Sequence, residues 1–274
     1  MNPMRKTLTL LRKYVFALLA VLAAVVSIGI ACKTSPAGRN QLILLDDAEM
    51  NRMGEEAFAE IKSQTPIENN PVINAYVRCI VNTLLTVTND STGVTSWEVV
   101  VFRDETANAF ALPGGKVGVH TGILPVARTA DQLAAVLGHE IGHVIARHGN
   151  ERVSQATAGQ TVLGAVGSVV EDETIMGAIG AGAQFGVLLP FSREHESEAD
   201  IIGQELMAQA GFDPTASVTL WMNMAQNSSG APPEIMSTHP SHDTRISDLR
   251  GHLQKTIPMY QAAIATRGRP NCHL

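Results

Sequence analysis

Apolar residues recur at helical spacing through much of the chain, and this pattern predicts a mainly helical fold. In the segment from Asp46 to Lys62, one helix face is apolar and consists of Met50, Met53, Ala57, Phe58 and Ile61. A second helix is predicted from Asn70-Pro71 to about Leu85, because Asn is a favoured N-cap and proline is tolerated in the first turn. Capping residues and glycines predict further helices at Thr129 to about His148 before Gly149, Ser192 to Gly211, Asp213 to about Gln226, and Arg245 to about Ala263.

Three short segments instead have the composition of β-strands. Residues Trp97 to Phe102 are β-branched and apolar. Ala109 to Leu112 and Lys116 to His120 flank the turn sequence Pro113-Gly114-Gly115, so they are predicted to form a strand pair. Together with the helices, these strands predict an α+β fold that is mainly α with a small β-sheet.

The segment 154–190 follows neither pattern. It is rich in Gly, Ala and Val and is interrupted by Glu171-Asp172-Glu173. Its apolar stretches 157–170 and 175–190 are each shorter than a bilayer span. We interpret the segment as a packed or mobile flap over a cleft, or as an interfacial segment.

The N-terminus has the pattern of an export signal. Basic residues occur up to Lys13, and an uncharged apolar run extends from Tyr14 to Ile30. Small and apolar residues then lead directly to Cys32, as in the lipid-modification site of bacterial lipoproteins. We therefore predict a signal peptide at 1–31, a lipid on Cys32 that anchors the protein to the membrane, and a tether at 32–40 before a single domain at 41–274. The alternative is an uncleaved membrane anchor.

Lys33 follows the cysteine instead of Asp, which by resemblance to Gram-negative lipoproteins indicates sorting to the periplasmic face of the outer membrane. Export would place the other two cysteines, Cys79 and Cys272, in an oxidising compartment, where a disulfide between them is plausible. The alternative is one buried thiol and one thiol in a loose tail.

Composition and charge narrow the function further. Hydrophobic residues make up 45% of the chain, which predicts a packed globular body. The formal charge is −6, and removal of residues 1–31 with their four basic side chains would leave about −10. The body has no basic cluster, and this balance argues against a nucleic-acid partner.

The sequence His139-Glu140-Ile141-Gly142-His143 is the main chemical signal. Residues four apart lie on the same helix face, so His139 and His143 can both direct an imidazole at one metal ion. Glu140 lies beside that ion, where it can take a proton from an activated water. The alternative is a pair of surface or capping histidines, but apolar neighbours predict a buried helix, and unpaired buried histidines are costly.

A catalytic zinc needs a third protein ligand. Glu196 and Asp200 are four apart on a predicted helix, so Glu196 can complete the site while Asp200 accepts a hydrogen bond from a ligating histidine, which we expect to be His139. Glu198 is rotated about half a turn and is predicted to lie outside the site. Glu194 and His195 are competing ligands by residue type, and the alternative for the whole run is a solvated acidic helix face.

A loop near the C-terminus carries His239 and Arg245. Near a zinc ion, His239 could stabilise the oxyanion of a tetrahedral intermediate. Arg245 could do the same, or could hold a carboxylate in place.

From about Gly38 to Arg250 the chain resembles the zinc metallopeptidase family that includes the CAAX prenyl proteases, the HtpX-type heat-shock proteases and the BepA- and LoiP-type periplasmic proteases. The resemblance is carried by five further ordered segments besides the HEIGH helix: Gly38-Arg39-Asn40-Gln41-Leu42, Asn108 to Gly115, Ser192-Arg193 with Glu196 to Asp200, Gly211 to Pro214, and Thr238-His239-Pro240 with Arg245. The lipoprotein signal and small size are most similar to the LoiP type.

The resemblance implies a zincin fold of the gluzincin type, with Zn²⁺ held by His139, His143 and Glu196, and Glu140 as the general base. It also implies that His239 approaches the metal, either to stabilise the transition state or as a reversible fourth ligand that silences the enzyme. The segment Asn108, Ala109, Phe110 and Ala111 corresponds to an edge strand that pairs with an extended substrate. Unlike the BepA type, the chain has no tetratricopeptide repeats after the domain.

These features give three functional hypotheses. The first is a periplasmic zinc endopeptidase that cleaves unfolded or misassembled envelope proteins in quality control. The second is a latent protease that acts mainly as a chaperone-like assembly factor, with His239 closing the zinc site. The third is a structural zinc protein, which predicts unfolding on zinc removal and no functional effect of Glu140→Gln.

Overall fold

The computed structural model of the chain describes residues 32–165, 191–226, 235–239 and 244–274. The strands are β1 (Cys32–Thr34), β2 (Asn40–Leu42), β3 (Glu98–Phe102), β4 (Ala109–Leu112) and β5 (Lys116–His120). The helices are α1 (Asp47–Gln64), α2 (Pro71–Leu85), α3 (Ala130–Ile145), α4 (His148–Ala165), α5 (Arg193–Gln209), α6 (Thr215–Gln226), α7 (Ile235–Thr238) and α8 (Arg245–Arg267), with a short 3₁₀ turn at Thr121–Ile123. The predicted α+β class, mainly helical with small sheets, is confirmed.

The helix starts follow the capping residues of the sequence. The Asn70 side chain accepts a hydrogen bond from Val72 N, the Thr129 side chain from Gln132 N, and the Ser192 side chain from His195 N. These bonds satisfy N–H groups that have no partner inside a helix. At the other end of α5, Gly211 takes φ 88°, a left-handed conformation that terminates the helix without strain.

The larger sheet has the order β3-β5-β4, with β5 parallel to β3 and antiparallel to β4. Within the described residues, strand β4 is therefore an edge strand. Phe110 of β4 lies over Gly118 of β5, where a Cβ atom would be 2.3 Å from the Phe110 ring. Phe58 and Phe102 complete an aromatic cluster that packs α1 against the sheet.

Helix α3 lies between the sheet and α5, and all of its residues from Gln132 to Ile145 are buried. It crosses α5 where two glycines face each other. A Cβ atom on Gly203 would lie 2.6 Å from His139 N, and one on Gly138 would lie 2.9 Å from Gly203 O. The two helix backbones approach closely because neither position carries a side chain.

The prediction that the central helix runs to about His148 and stops at Gly149 is wrong. Helix α3 ends at Ile145, and Gly149 lies inside α4. Between them, Arg147 has φ 56°, the one positive φ of a non-glycine residue in the part of the chain that the structure describes. Its guanidinium makes two 2.8 Å bonds to the Asp47 carboxylate and one of 2.6 Å to Ser91 O, and these contacts hold the bend.

The segment 32–40, predicted as a tether, forms part of a small hairpin. Strand β1 pairs antiparallel with β2, and Gly38 takes φ 88° in the turn. The Arg39 guanidinium binds the Glu151 carboxylate at 2.7 and 2.6 Å, and Gln41 Nε2 donates to Ala146 O at 2.7 Å. Tertiary contacts with α3 and α4 therefore order these residues.

Cys79 of α2 and Cys272 form a disulfide, which ties the C-terminal tail to the helical body. Among the described residues, no helix is both long enough and apolar enough to cross a bilayer. The predicted signal peptide at 1–31, the Cys32 side chain and most of the segment 154–190 lie outside the described part.

The glycine crossing gives a direct stability prediction. Gly203→Ala should lower the free energy of unfolding by about 1–3 kcal/mol, because the added methyl group overpacks the α3–α5 contact. Gly251→Ala is the control, since Gly251 lies in α8 with no atom within 4 Å of an added Cβ. It should be neutral or stabilising by about 0.5–1 kcal/mol. Urea denaturation measures both, and equal effects of the two substitutions would contradict the close approach.

Candidate metal centre

Four buried side chains converge on one point beside α3. They are His139 and His143 from α3, Glu196 from the first turn of α5, and His239 directly after α7. Each contributes one nitrogen or oxygen, and these four atoms all lie within 4.8 Å of one another. The structure thus brings together the three residues predicted as metal ligands and adds the histidine predicted to approach them.

The distances between these atoms fit a tetrahedral cation. His139 Nε2 and His143 Nε2 are 3.0 Å apart, and each lies 3.5 Å from a Glu196 carboxylate oxygen. Zinc bonds of 2.0–2.1 Å at tetrahedral angles would separate two ligands by about 3.3 Å. His239 Nδ1 lies 3.2 Å from His139 Nε2 and 3.0 Å from Glu196 Oε1, which is the spacing of a fourth ligand.

The chemistry of these donors also fits a metal. Imidazole nitrogen and carboxylate oxygen are the ligands that zinc takes in hydrolytic sites. Two imidazole nitrogens that face each other can share only one proton, whereas a cation accepts both lone pairs. In the described residues this is the one group of three or more such side chains close enough to hold an ion. His139, His143 and Glu196 would therefore hold the metal, with His239 at the fourth position.

Asp200 and Arg245 fix the orientation of the ligands. His139 Nδ1 lies 2.9 Å from Asp200 Oδ1, as predicted, so its proton points at Asp200 and Nε2 is left as the metal-facing donor. Arg245 donates to Glu196 Oε2 and to Asp200 Oδ1, both at 2.7 Å, and its guanidinium lies 3.4 Å from the centre of the Trp221 ring. Arg245 thus has the second of its two predicted roles, that of holding carboxylates.

Burial and hydrogen bonds shift the pKa values of the side chains at the metal centre. Burial opposes a charge on His139, but hydrogen bonds to Asp200 and Glu196 outweigh burial and raise its pKa to about 9. Burial lowers the pKa of His143. Burial favours the protonated form of Glu196, yet bonds to His139, His143 and His239 lower its pKa overall. Glu196 is therefore ionised, as a metal ligand would have to be.

Glu140 is the one acid of the centre without a tight partner. Its Oε1 accepts no hydrogen bond within the described chain and lies 3.4 Å from His239 Nε2. Burial raises the pKa of this carboxyl, and electrostatic interactions with His239 and His139 oppose the rise. A carboxylate with a raised pKa and a free oxygen next to a cation is suited to accept a proton.

The predicted substrate segment lies at the sheet edge beside this base. Ala109, Phe110 and Ala111 belong to β4, and Asn108 precedes it with its backbone oxygen accepting from His120 N at 3.0 Å. Helix α3, which carries Glu140, packs against β4, so the edge strand lies next to the metal centre.

The two competing ligands by residue type, Glu194 and His195, lie outside the centre. Glu194 is exposed on the surface of α5, and His195 points away from the centre, with Nε2 3.1 Å from Glu151 Oε2. A helix places successive side chains about 100° apart, so only one residue of this run can face the site.

Two contacts of the centre were not predicted. Phe191 stacks on the His143 ring with 3.8 Å between ring centres, and the Arg152 guanidinium lies 3.6 Å from the centre of the Phe191 ring. His148 Nδ1 lies 2.9 Å from His143 Nδ1. His148 follows His143 by five residues, and in a continuous helix that spacing would direct its side chain away from the metal centre. The bend at Arg147 instead turns the His148 side chain towards His143.

Comparison with known proteins agrees with this geometry. Residues 71–253 match the sequence model of Peptidase family M48. The chain is 40% identical over 208 residues to the mitochondrial metalloendopeptidase OMA1 of Schizosaccharomyces pombe, covering 74% of this chain and 60% of that protein. It is 30% identical over 219 residues to the β-barrel assembly-enhancing protease of Escherichia coli, covering 76% of this chain and 44% of that protein. The chain therefore spans about half the length of these relatives.

The double role of Arg245 predicts a large stability effect. Arg245→Ala should lower the free energy of unfolding of the metal-free protein by about 3–5 kcal/mol, because it leaves two buried carboxylates without their counter-charge. Arg52→Ala removes an exposed pair with Glu56 on α1 and should change stability by about 0.5 kcal/mol or less. Chemical denaturation compares the two, and a loss below 1 kcal/mol for Arg245→Ala would contradict the assigned contacts.

Proposed function

The chain belongs to peptidase family M48, and from this premise we propose that it is a zinc-dependent endopeptidase of the bacterial cell envelope. The observation that carries the proposal is the convergence of His139, His143 and Glu196 beside Glu140, whose Oε1 makes no hydrogen bond to the described chain. Three protein ligands and a neighbouring carboxylate are the components of a hydrolytic zinc site.

Each residue of the centre would have a separate role in peptide hydrolysis. Zinc, when bound, would polarise the scissile carbonyl and increase the acidity of the attacking water. Glu140 accepts the proton of that water and passes it to the leaving amine. Arg245 and Asp200 keep Glu196 and His139 in the orientation and charge state that a cation requires.

Strand β4 would position the substrate. An edge strand offers backbone donors and acceptors to an extended peptide, and such pairing depends little on side chains. Because β4 packs against α3, the paired peptide would lie beside the base Glu140. Only an unfolded segment can adopt this extended form, which supports unfolded or misassembled proteins as substrates.

The envelope location rests on three further observations. The N-terminal pattern ending at Cys32 supports a lipid anchor at the periplasmic face of the outer membrane. The disulfide between Cys79 and Cys272 supports an oxidising compartment. One relative is named for enhancing β-barrel assembly, which supports envelope proteins as substrates.

Glu140→Gln tests the catalytic proposal. The variant should lose at least about 10²-fold of the rate of casein hydrolysis, because the amide cannot accept the proton. It should still bind one zinc ion, since Glu140 is not a predicted ligand.

Glu205→Gln serves as the control and should keep full activity, because Glu205 is a partly buried residue of α5 that pairs with His252 and Lys255 of α8. Hydrolysis that survives both Glu140→Gln and chelation would contradict the mechanism, whereas unfolding on zinc removal without any effect of Glu140→Gln would support a structural zinc protein.

A second candidate function is a latent protease that acts as a chaperone-like assembly factor. The position of His239 Nδ1, 3.0 Å from Glu196 Oε1 and 3.2 Å from His139 Nε2, favours it because a fourth ligand would exclude water.

His239→Ala separates the two functions. If His239 closes the site, the variant should hydrolyse casein faster than the wild-type chain. If His239 stabilises the transition state, the rate should fall by about 10²–10³-fold. The kcat for the two proteins decides between a latent and a constitutive enzyme.

A further inference from the structure

A buried group of charged and polar side chains lies next to the metal centre, on the Nδ1 side of the His143 ring. This back cluster consists of Arg39 from the β1–β2 hairpin, His148 and Glu151 from α4, and His195 and Glu198 from α5. The four residues from α4 and α5 are buried, whereas the Arg39 side chain keeps 26% of its exposure. The proposed hydrolysis uses none of them.

A chain of hydrogen bonds runs from this cluster to a predicted metal ligand. His143 Nδ1 lies 2.9 Å from His148 Nδ1, and His148 Nε2 lies 3.2 Å from Glu198 Oε2. Arg39 Nε donates to the same Glu198 oxygen at 3.0 Å. Three side chains thus connect the N-terminal hairpin to the ring of His143.

The chemistry of imidazole fixes the direction of these bonds. When His143 offers Nε2 to a metal, its Nδ1 carries the proton and must donate it. His148 Nδ1 then accepts, so the proton of His148 lies on Nε2 and is donated to Glu198. Glu198 accepts from both His148 and Arg39, which requires no further proton.

We infer that His148 is the positioning residue of the ligand His143, and that Glu198 and Arg39 in turn hold His148. This inference rests on the proposed metal site. It gives the two histidine ligands different supports: Asp200 contacts His139 directly, whereas the Glu198 carboxylate acts on His143 through a neutral imidazole.

The backbone is bent in a way that makes this contact possible. Arg147 adopts φ 56°, a left-handed conformation that is unfavourable for a non-glycine residue, and Asp47 and Ser91 hold it there. The bend starts α4 at His148 and turns its ring back towards α3. A continuous helix would direct His148 elsewhere, since the fifth residue after His143 is rotated by about 140° from it.

The cluster also contains a matched histidine, His195, whose side chain bonds to Glu151 and not to His143. The His195 ring stacks on the His148 ring with 4.5 Å between centres, and its Nε2 lies 3.1 Å from Glu151 Oε2. His195 therefore shares the burial and packing of His148 without a bond to His143. A substitution of His195 therefore reports the effect of disturbed packing in the cluster, without the loss of a bond to His143.

The test measures the zinc dissociation constant of the full chain by competition with a chromophoric chelator. His148→Leu should weaken zinc binding by about 10–100-fold, because His143 loses its acceptor. His148→Asn keeps an amide oxygen at the position of Nδ1 and should stay within about threefold of the wild type, as should His195→Asn. Equal affinity of His148→Leu and wild type, or equal weakening by His148→Leu and His148→Asn, would overturn the inference.

A wild-type chain that binds no zinc would overturn the proposed function as well, so the two failures are distinguishable. A second measurement needs no variant and covers the case in which His148→Leu fails to fold. Nitrogen-15 NMR of the zinc-loaded, histidine-labelled chain should show His148 with its proton on Nε2 and His143 with its proton on Nδ1. The opposite tautomer of His148 would contradict the bond to Glu198.

Discussion

The close approach of helices α3 and α5 is the constraint on which the site depends. Gly138 and Gly203 let the two backbones meet, and this contact sets the distance between the histidines of one helix and the acids of the other. Glu196 and Asp200 are one turn apart on α5, as His139 and His143 are on α3. One turn of α3 therefore faces one turn of α5. A single cation can bind side chains from both turns, and a hydrogen bond can join His139 to Asp200.

Bringing these groups together also buries several charges, and the surrounding chain compensates for them. Arg245 from α8 pairs with Glu196 and Asp200 at the metal centre. Arg39 from the N-terminal hairpin pairs with Glu151 and Glu198 in the back cluster. One arginine comes from the first described strands and the other from the last described helix, and both bind carboxylates of α5. The disulfide at Cys272 further ties the segment after α8 to α2.

Local sequence signals predicted most of the helices and strands, and they predicted the residues that converge on the metal centre. Asn70, Thr129 and Ser192 cap helices because their side chains bond to nearby backbone, and the spacing of His139, His143, Glu196 and Asp200 follows from helix geometry alone. The back cluster was not predictable in this way. Arg39 is 112 residues from Glu151 and 159 from Glu198, and the left-handed Arg147 is held by Asp47, 100 residues away. Contacts of this range override local preference and leave no periodic pattern.

The central claim is that one zinc ion binds between α3 and α5 on His139, His143 and Glu196. Anomalous diffraction at the zinc absorption edge, from crystals of the zinc-loaded full chain, tests it directly. The account predicts one strong peak within bonding distance of His139 Nε2, His143 Nε2 and a Glu196 carboxylate oxygen, about 2.0–2.2 Å from each. A peak elsewhere, or no peak between these three side chains in a chain that hydrolyses protein, would contradict it.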